Sequence, residues 1–311
     1  MVVTDRATLG RPTRPRVARS SRKRRRRSLI AYLYILPALA VYGVFLLFPL
    51  GRSVWISLFH WDGLTLATWA GFSNYVDIFS DGSLRSAFEH ALILIVFYSV
   101  LPVCLALLLT MSLSRGRIRG RTFFRTVFFL PQVIAMVVVA TAWSAIYSPD
   151  GVLNKFLDAI GLHVLTRPWL GDFSWALPAV GLIGTWVEVG LCVVLFMAGI
   201  QKIPIERYEA ARIDGCGALR ELLAVTVPGL RGEIAVALTL TVVAALRNFD
   251  LVYITTHGGP GTSTTVPAFE VYHRAFETNQ VGSACAIGVT LAVLIFLITL
   301  VITRIAERGE A

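Results

Sequence analysis

Glu188, Arg247 and Asp250 are the residues of this 311-residue chain whose placement most invites chemistry, because each stands in a run that is otherwise apolar. Glu188 is the single charge in residues 176–200. Arg247 and Asp250 lie near the end of residues 234–256, with Asn248 between them. A charge inside an apolar segment is costly, and by default it marks a solute or ion path or a proton relay. The simpler expectation is structural: Arg247 pairs with Asp250 one helical turn away, or with Glu188 across two helices. The two readings are compatible.

Catalytic constellations are missing from the sequence. His60, His90, His163, His257 and His273 form neither an HExxH pattern nor an i,i+4 pair, and there is no GxSxG nucleophile elbow. Cys104, Cys192, Cys216 and Cys285 never form CxxC and read as small apolar side chains, so no metal site is expected. A phosphate-binding Walker loop needs Gly-Lys followed by Ser or Thr. None of Lys23, Lys155 and Lys202 follows a glycine. The chain is therefore expected to be non-enzymatic by itself, drawing its energy from a partner ATPase or from an ion gradient.

The elements that must position these residues are long apolar runs. Only 15% of residues are charged and 56% are hydrophobic, against about 25% charged in an ordinary soluble domain. About 20 apolar residues are needed to cross a bilayer as a helix. Six runs qualify: 29–50, 91–113, 126–147, 176–200, 234–256 and 284–303. An all-α integral membrane protein with six transmembrane helices follows. Pro37, Pro102, Pro131 and Pro178 are each expected to kink a span or mark its first turn. The first run is too long for a signal-peptide core and lacks a clear cleavage site, so it reads as a retained helix.

The net charge of +10 is the charge of the tail: residues 1–27 hold 11 basic side chains against Asp5, and the rest is neutral. With the N-terminus inside, the inner segments carry 23 Lys and Arg and the outer ones 5. That asymmetry predicts N-in and C-in. Trp55, Trp61, Trp69, Trp169 and Trp175 then fall in outer loops, near the interface that tryptophan favours. The tail holds no aromatic residues to stack on bases and runs directly into the first span. It reads as a lipid-facing anchor rather than a nucleic-acid site.

Residues 201–233 form the most informative loop. Pro204 suits a helix start, Gly215 a left-handed stop, and Ala218–Val227 a second helix with Leu219, Leu222, Leu223 and Thr226 on one face, ended by Pro228 and Gly229. Ala210 and Ala211 offer close approach, and Glu209 and Asp214 offer fixed charge. This pattern serves either a partner protein or an amphipathic connector resting on the bilayer.

Glu209-Ala210-Ala211, then Gly215, then Pro228, resembles the EAA loop of binding-protein-dependent ABC importer permeases. Glu-Ala-Ala-Arg-Ile-Asp-Gly at 209–215 and Thr226-Val-Pro228 resemble the carbohydrate-uptake branch of the maltose and glycerol-phosphate type. Further segments are similar to that branch: Leu36-Pro37, Phe48-Pro49, Trp61-Asp62-Gly63, Phe72-Ser-Asn-Tyr75, Arg121-Thr-Phe-Phe-Arg125, Phe129-Leu-Pro131, Phe249-Asp250-Leu-Val-Tyr253, Gly258-Gly-Pro-Gly261 and Ala275-Phe276. The likeness runs over about residues 28–305. Gly232, where relatives often have proline, and Gly217-Ala218 depart from the pattern.

The resemblance implies a type I ABC importer permease fold in a bacterial cytoplasmic membrane. It implies a basic tail at 1–28, a six-helix permease domain at 29–305 with a coupling loop at 201–233, and a short tail at 306–311. A coupling helix within 205–215 would dock on a cytoplasmic ABC ATPase dimer. There Glu209, Ala210, Ala211, Asp214, Gly215 and Pro228 would serve the coupling. ATP and magnesium would sit on that partner, with no cofactor on this chain. A second homologous permease, an extracytoplasmic solute-binding protein and membrane lipids complete the implied partners. Trp186, Glu188, Asn248, Asp250 and Tyr253 become the expected translocation path, with the aromatic rings facing the C–H sides of a sugar. An ion-coupled secondary transporter is the alternative. It has few spans to work with, lacks an inverted repeat and leaves the EAA loop unexplained.

Overall fold

The structure, a computed structural model, describes residues 34–115 and 121–308. The basic tail, residues 29–33, the middle of the 114–125 loop and residues 309–311 lie outside the described residues. The chain divides into two units, residues 1–52 and 53–311.

Helix α1 (Tyr34–Ile56) carries an apolar surface along its length, with Tyr34 82% and Phe45 77% exposed. Residues 60–63 lead into the turn of a hairpin. In it β1 (Phe59–His60) pairs antiparallel with β2 (Thr68–Trp69), a small departure from an all-α fold. The turn explains the difference. Asp62 Oδ1 accepts the backbone N–H groups of Leu64 and Thr65, and Gly63 adopts φ +88°. This Asx turn competes with helix. The Thr65 and Leu64 amides hold the Asp62 carboxyl below its ordinary value.

Helix α2 (Ser73–Ser80) is tied to the hairpin by Asn74, whose buried amide donates to the carbonyls of Ser57 and Phe59 at 2.8 and 3.0 Å. Asp81 caps the next helix through the Ser83 amide, so α3 begins at Gly82 rather than near Ala91. It runs as Gly82–Ile95, a π turn at Val96–Val100, and Leu101–Arg115. The π turn directly precedes Pro102, whose missing N–H disrupts the α-helical ladder.

The span expected at 126–147 is broken. Helices α4 (Arg121–Val133) and α5 (Met136–Ile146) meet at 97°. Pro131 removes a donor close to the bend, and Ala135 turns extended with ψ 134°. Helix α6 (Val152–Ala159) follows in the loop.

Helix α7 (Ala176–Ile200) is apolar around its circumference and mostly buried, which is the signature of a central helix. It contacts α3 and α4. Its glycines permit that approach: a Cβ at Gly190 would collide with the Phe128 carbonyl of α4, and one at Gly184 with the Tyr98 ring of α3. Small residues at helix crossings are the ordinary device for close packing in lipid.

The loop helices are α8 (Ile205–Ile213) and α9 (Ala218–Gly229), the latter with a π turn at Leu222–Thr226. The helix ends at Gly229, as the Pro228-Gly229 pair suggested, and turns by 79° into α10 (Arg231–Leu246), which also packs on α7. The span expected over 234–256 therefore ends early. Residues 247–249 interrupt it, and α11 (Asp250–Thr255) resumes. After the hydrogen-bonded loop 256–266 come α12 (Pro267–Tyr272) with a π turn at His273–Glu277, and α13 (Val281–Arg308), longer than the expected 284–303. Among the described residues, α1, α3, α7 and α13 are long and apolar enough to span a membrane. The two bent pairs would raise the number to six.

Arg274 ties three of these elements together. Its 17%-exposed side chain reaches Asp81 at 3.1 Å, Glu270 at 3.3 Å and Ser283 at 2.9 Å. Removing the cation leaves partly buried carboxylates without their partner. Arg274→Met is expected to destabilise the protein by about 1–3 kcal/mol, read as a lower thermal midpoint in detergent. An unchanged midpoint would mean that the network does not hold these elements together.

Candidate functional site: a polar cavity and a loop helix

The break at 247–249 opens a cavity of about 350 Å³ lined by Tyr98, Met136, Glu188, Arg247, Asn248 and Asp250, together with Phe249 and aliphatic groups of α10. Glu188 is 5% exposed and Asn248 8%. The Asn248 amide nitrogen and the Tyr98 hydroxyl are buried without a hydrogen-bond partner among the described residues. Unpartnered groups of this kind are costly; both residues belong to the cavity lining, while these two atoms are themselves covered.

The expected ion pairs are not formed. Among the described residues Arg247 bridges neither Asp250 nor Glu188. Because the helix ends at Leu246 (Arg247 has φ −90° and ψ 6°), Arg247 and Asp250 do not share one helical face. The structure brings Glu188, Asn248 and Asp250 to one cavity and adds Tyr98, Met136 and Phe249, which no local motif announced. It leaves Trp186 and Tyr253 outside the lining. Trp186 meets Trp143 of α5 edge-on at 5.6 Å, and Tyr253 stacks on Phe249 at 5.1 Å.

The 201–233 loop is more exact in its geometry than its sequence alone required. Pro204 is the N-cap of α8. At the other end Gly215 takes φ +75°, its amide donates to Arg212, and the Cys216 amide donates to Ala211. That pair of bonds is a Schellman stop. Asp214 caps the helix and stays exposed. Tyr208 and Thr226 hydroxyls lie 3.3 Å apart, and Arg212 Nε reaches Glu221 Oε2 at 3.3 Å, fastening α8 to α9.

Glu209 and Ala210 are exposed, whereas Ala211 is only 8% exposed. The two alanines therefore differ: Ala210 is available to a partner, and Ala211 faces inward. Ile213 (86%), Ile205 (65%), Leu219 (63%) and Leu223 (60%) leave an apolar surface around the helix. Pro228 is exposed inside α9.

The fold agrees with a solved bacterial ABC transporter chain involved in the import of the acidic polysaccharide alginate. The TM-score is 0.76 at 24% identity, covering 92% of this chain and 98% of that one. The chain belongs to the family of binding-protein-dependent transport system inner membrane components, which matches residues 103–309.

It is similar along nearly its whole length to the Probable ABC transporter permease protein YurN of Bacillus subtilis. The two are 38% identical over 285 residues, covering 91% of this chain and 97% of that one. It is also similar to the diacetylchitobiose uptake system permease protein NgcF of Streptomyces coelicolor, at 32% identity over 94% of this chain and 89% of that one. The protein is the permease subunit of an ABC importer, and the ion-coupled alternative is set aside.

Proposed function

We propose that this permease subunit moves a sugar, or a related polyol phosphate, across the bacterial cytoplasmic membrane as a six-span, N-in/C-in subunit with its permease domain at 29–305. The polar cavity carries the reading. Its carboxylates, amide, guanidinium and phenol are the donors and acceptors that a polyhydroxylated solute needs. Relatives' names support the class: NgcF is a diacetylchitobiose permease, MsmF of Streptococcus mutans a multiple-sugar one and UgpA of Yersinia enterocolitica one for sn-glycerol 3-phosphate. Glu188, Asn248 and Asp250 line the path. Trp186 and Tyr253 flank it.

Energy comes from a cytoplasmic ATPase dimer that binds ATP and magnesium. Helix α8 docks on it through exposed Glu209 and Ala210, while Ala211, Asp214, Gly215 and Pro228 hold the helix in place. A second permease completes the pore, and a solute-binding protein delivers solute to the outer loops. A solved relative of the fold was captured with an alginate pentasaccharide-bound periplasmic protein, which supports that arrangement. Membrane vesicles that contain the assembled importer and its binding protein should take up labelled disaccharide when ATP is inside and ion gradients are collapsed. Uptake that persists without ATP and stops with the gradients would overturn the proposal.

A further inference from the structure

Helix α2 divides its surface into three stripes. Asn74 and Ile78 are buried, Ile78 against Leu84 of α3 and Ala286 and Ile287 of α13. Ser73 and Asp77 form a polar stripe. The Ser73 hydroxyl lies 3.1 Å from His60 Nε2, and Asp77 helps line an open polar hollow with His60, Asp62 and Arg274. The third stripe is apolar and exposed. Phe72, Val76 and Phe79 stand at i, i+4 and i+7, the spacing of one helical face. A surface helix that met only the core and water would need two stripes, not three.

The apolar stripe continues into the hairpin. Leu64 and Leu66 at its tip and Trp69 on β2 are exposed as well, Leu66 by 94%. Residues 63–76 hold no charged side chain. Trp69 sets the height of this surface. Its ring centroid is 5.0 Å from that of Phe59 and 6.3 Å from that of Trp55, and Trp55 stands in the last turn of the α1 span. Tryptophan at the end of a span favours the headgroup level. Leu66 and Phe72 are each three residues from Trp69, so at about 3.3 Å per residue neither lies more than about 10 Å from that level. Interfacial helices rest their apolar faces in this depth range. A soluble partner that comes and goes would leave these six large apolar side chains in water between visits, at roughly 25 cal/mol for each Å². A bilayer surface covers them continuously.

We infer that α2 and the hairpin tip form an interfacial foot, lying in the lipid–water boundary beside the end of α1. Leu64, Leu66, Trp69, Phe72, Val76 and Phe79 rest among headgroups and upper acyl chains, and the polar hollow is turned to water. The occupant of the apolar face is phospholipid. That this is the outer leaflet rests on the N-in orientation proposed above.

The test uses the assembled importer in proteoliposomes of phosphatidylethanolamine and phosphatidylglycerol doped with nitroxide-labelled lipid. Cys104→Ser, Cys216→Ser and Cys285→Ser remove the accessible native thiols, and Cys192 is fully buried. An environment-sensitive fluorophore is attached to Phe72→Cys, to Phe79→Cys or, on the polar stripe, to Asp77→Cys; all three positions are exposed, which spares the fold. Nitroxide near the headgroup should quench the Phe72→Cys and Phe79→Cys labels at least about twofold more than the Asp77→Cys label, and more than nitroxide at the chain end does. Equal quenching of the three labels, or none, would overturn the foot. So would a response that appears only when solute-binding protein is added, which would make this a protein-docking face. The leaflet is read separately: in intact cells a membrane-impermeant maleimide should block the Asp77→Cys thiol. Differential quenching with a thiol blocked only in inverted vesicles would keep the foot and overturn the N-in orientation.

Discussion

Gly215→Pro is expected to reduce ATP-driven uptake to less than a tenth of the wild-type rate while the protein still inserts into the membrane. Gly215 sits at φ +75°, a conformation closed to proline, whose ring fixes φ near −65°. Proline would also delete the N–H that donates to Arg212 and would misdirect the Cys216 amide now bonded to Ala211. Helix α8 has nine residues, too few to persist without tertiary support. It is fastened to α9 by the Tyr208–Thr226 and Arg212–Glu221 contacts near this same end. Asparagine tolerates the left-handed region, so Gly215→Asn should keep at least half of the uptake. Glu209→Lys, which reverses an exposed charge without touching the helix stop, should also lower uptake strongly if α8 meets the ATPase there. Wild-type uptake in both Gly215→Pro and Glu209→Lys would remove the coupling role from this loop.

The second large effect is at Gly190. A side chain there would run into the Phe128 carbonyl, with Phe129 Cα 3.0 Å from the new Cβ. Backbone atoms cannot swing aside as a side-chain tip can, so α4 would have to leave α7. Overpacking costs about 1–3 kcal/mol where side chains can adjust, and a clash with main chain exceeds that. Gly190→Val is expected to yield little monodisperse protein on size exclusion of detergent extracts. Gly171→Ala, whose Cβ would meet only Pro168 at 3.5 Å, should behave as wild type. A normal yield of Gly190→Val would show that the α4–α7 contact is dispensable.

Much of this was legible in the residues because it depends on local chemistry. The apolar runs read as helices, and the left-handed Gly215 stop follows from a helix pattern meeting a glycine. What escaped was set by distant contacts. Nothing near Tyr98 or Met136 in sequence links them to Glu188. The interruption at 247–249 falls on the polar residues Arg247 and Asn248, but a charge in an apolar run reads equally well as a helical ion pair, and the break dissolves the expected Arg247–Asp250 pairing. Pro131 warned of a kink, but not of a 97° turn. The alanines at 210 and 211 read as one small-residue ridge. Only the packing of α8 on α9 separates the exposed residue from the buried one.

The α4–α5 break also bears on how the chain reaches its place during synthesis. Helix α4 has 13 residues and α5 has 11, so each is about 20 Å long or less, short of a hydrocarbon layer about 30 Å thick. Both emerge from the ribosome before α7, the helix that covers α4. The backbone at the bend is bonded within itself, the Ile134 amide to Pro131 O and the Val138 and Val139 amides to Ala135 O, but α4 finds its packing surface on α7 only once residues 176–200 have been made. The final seating of this pair is set by a helix that follows it in the chain.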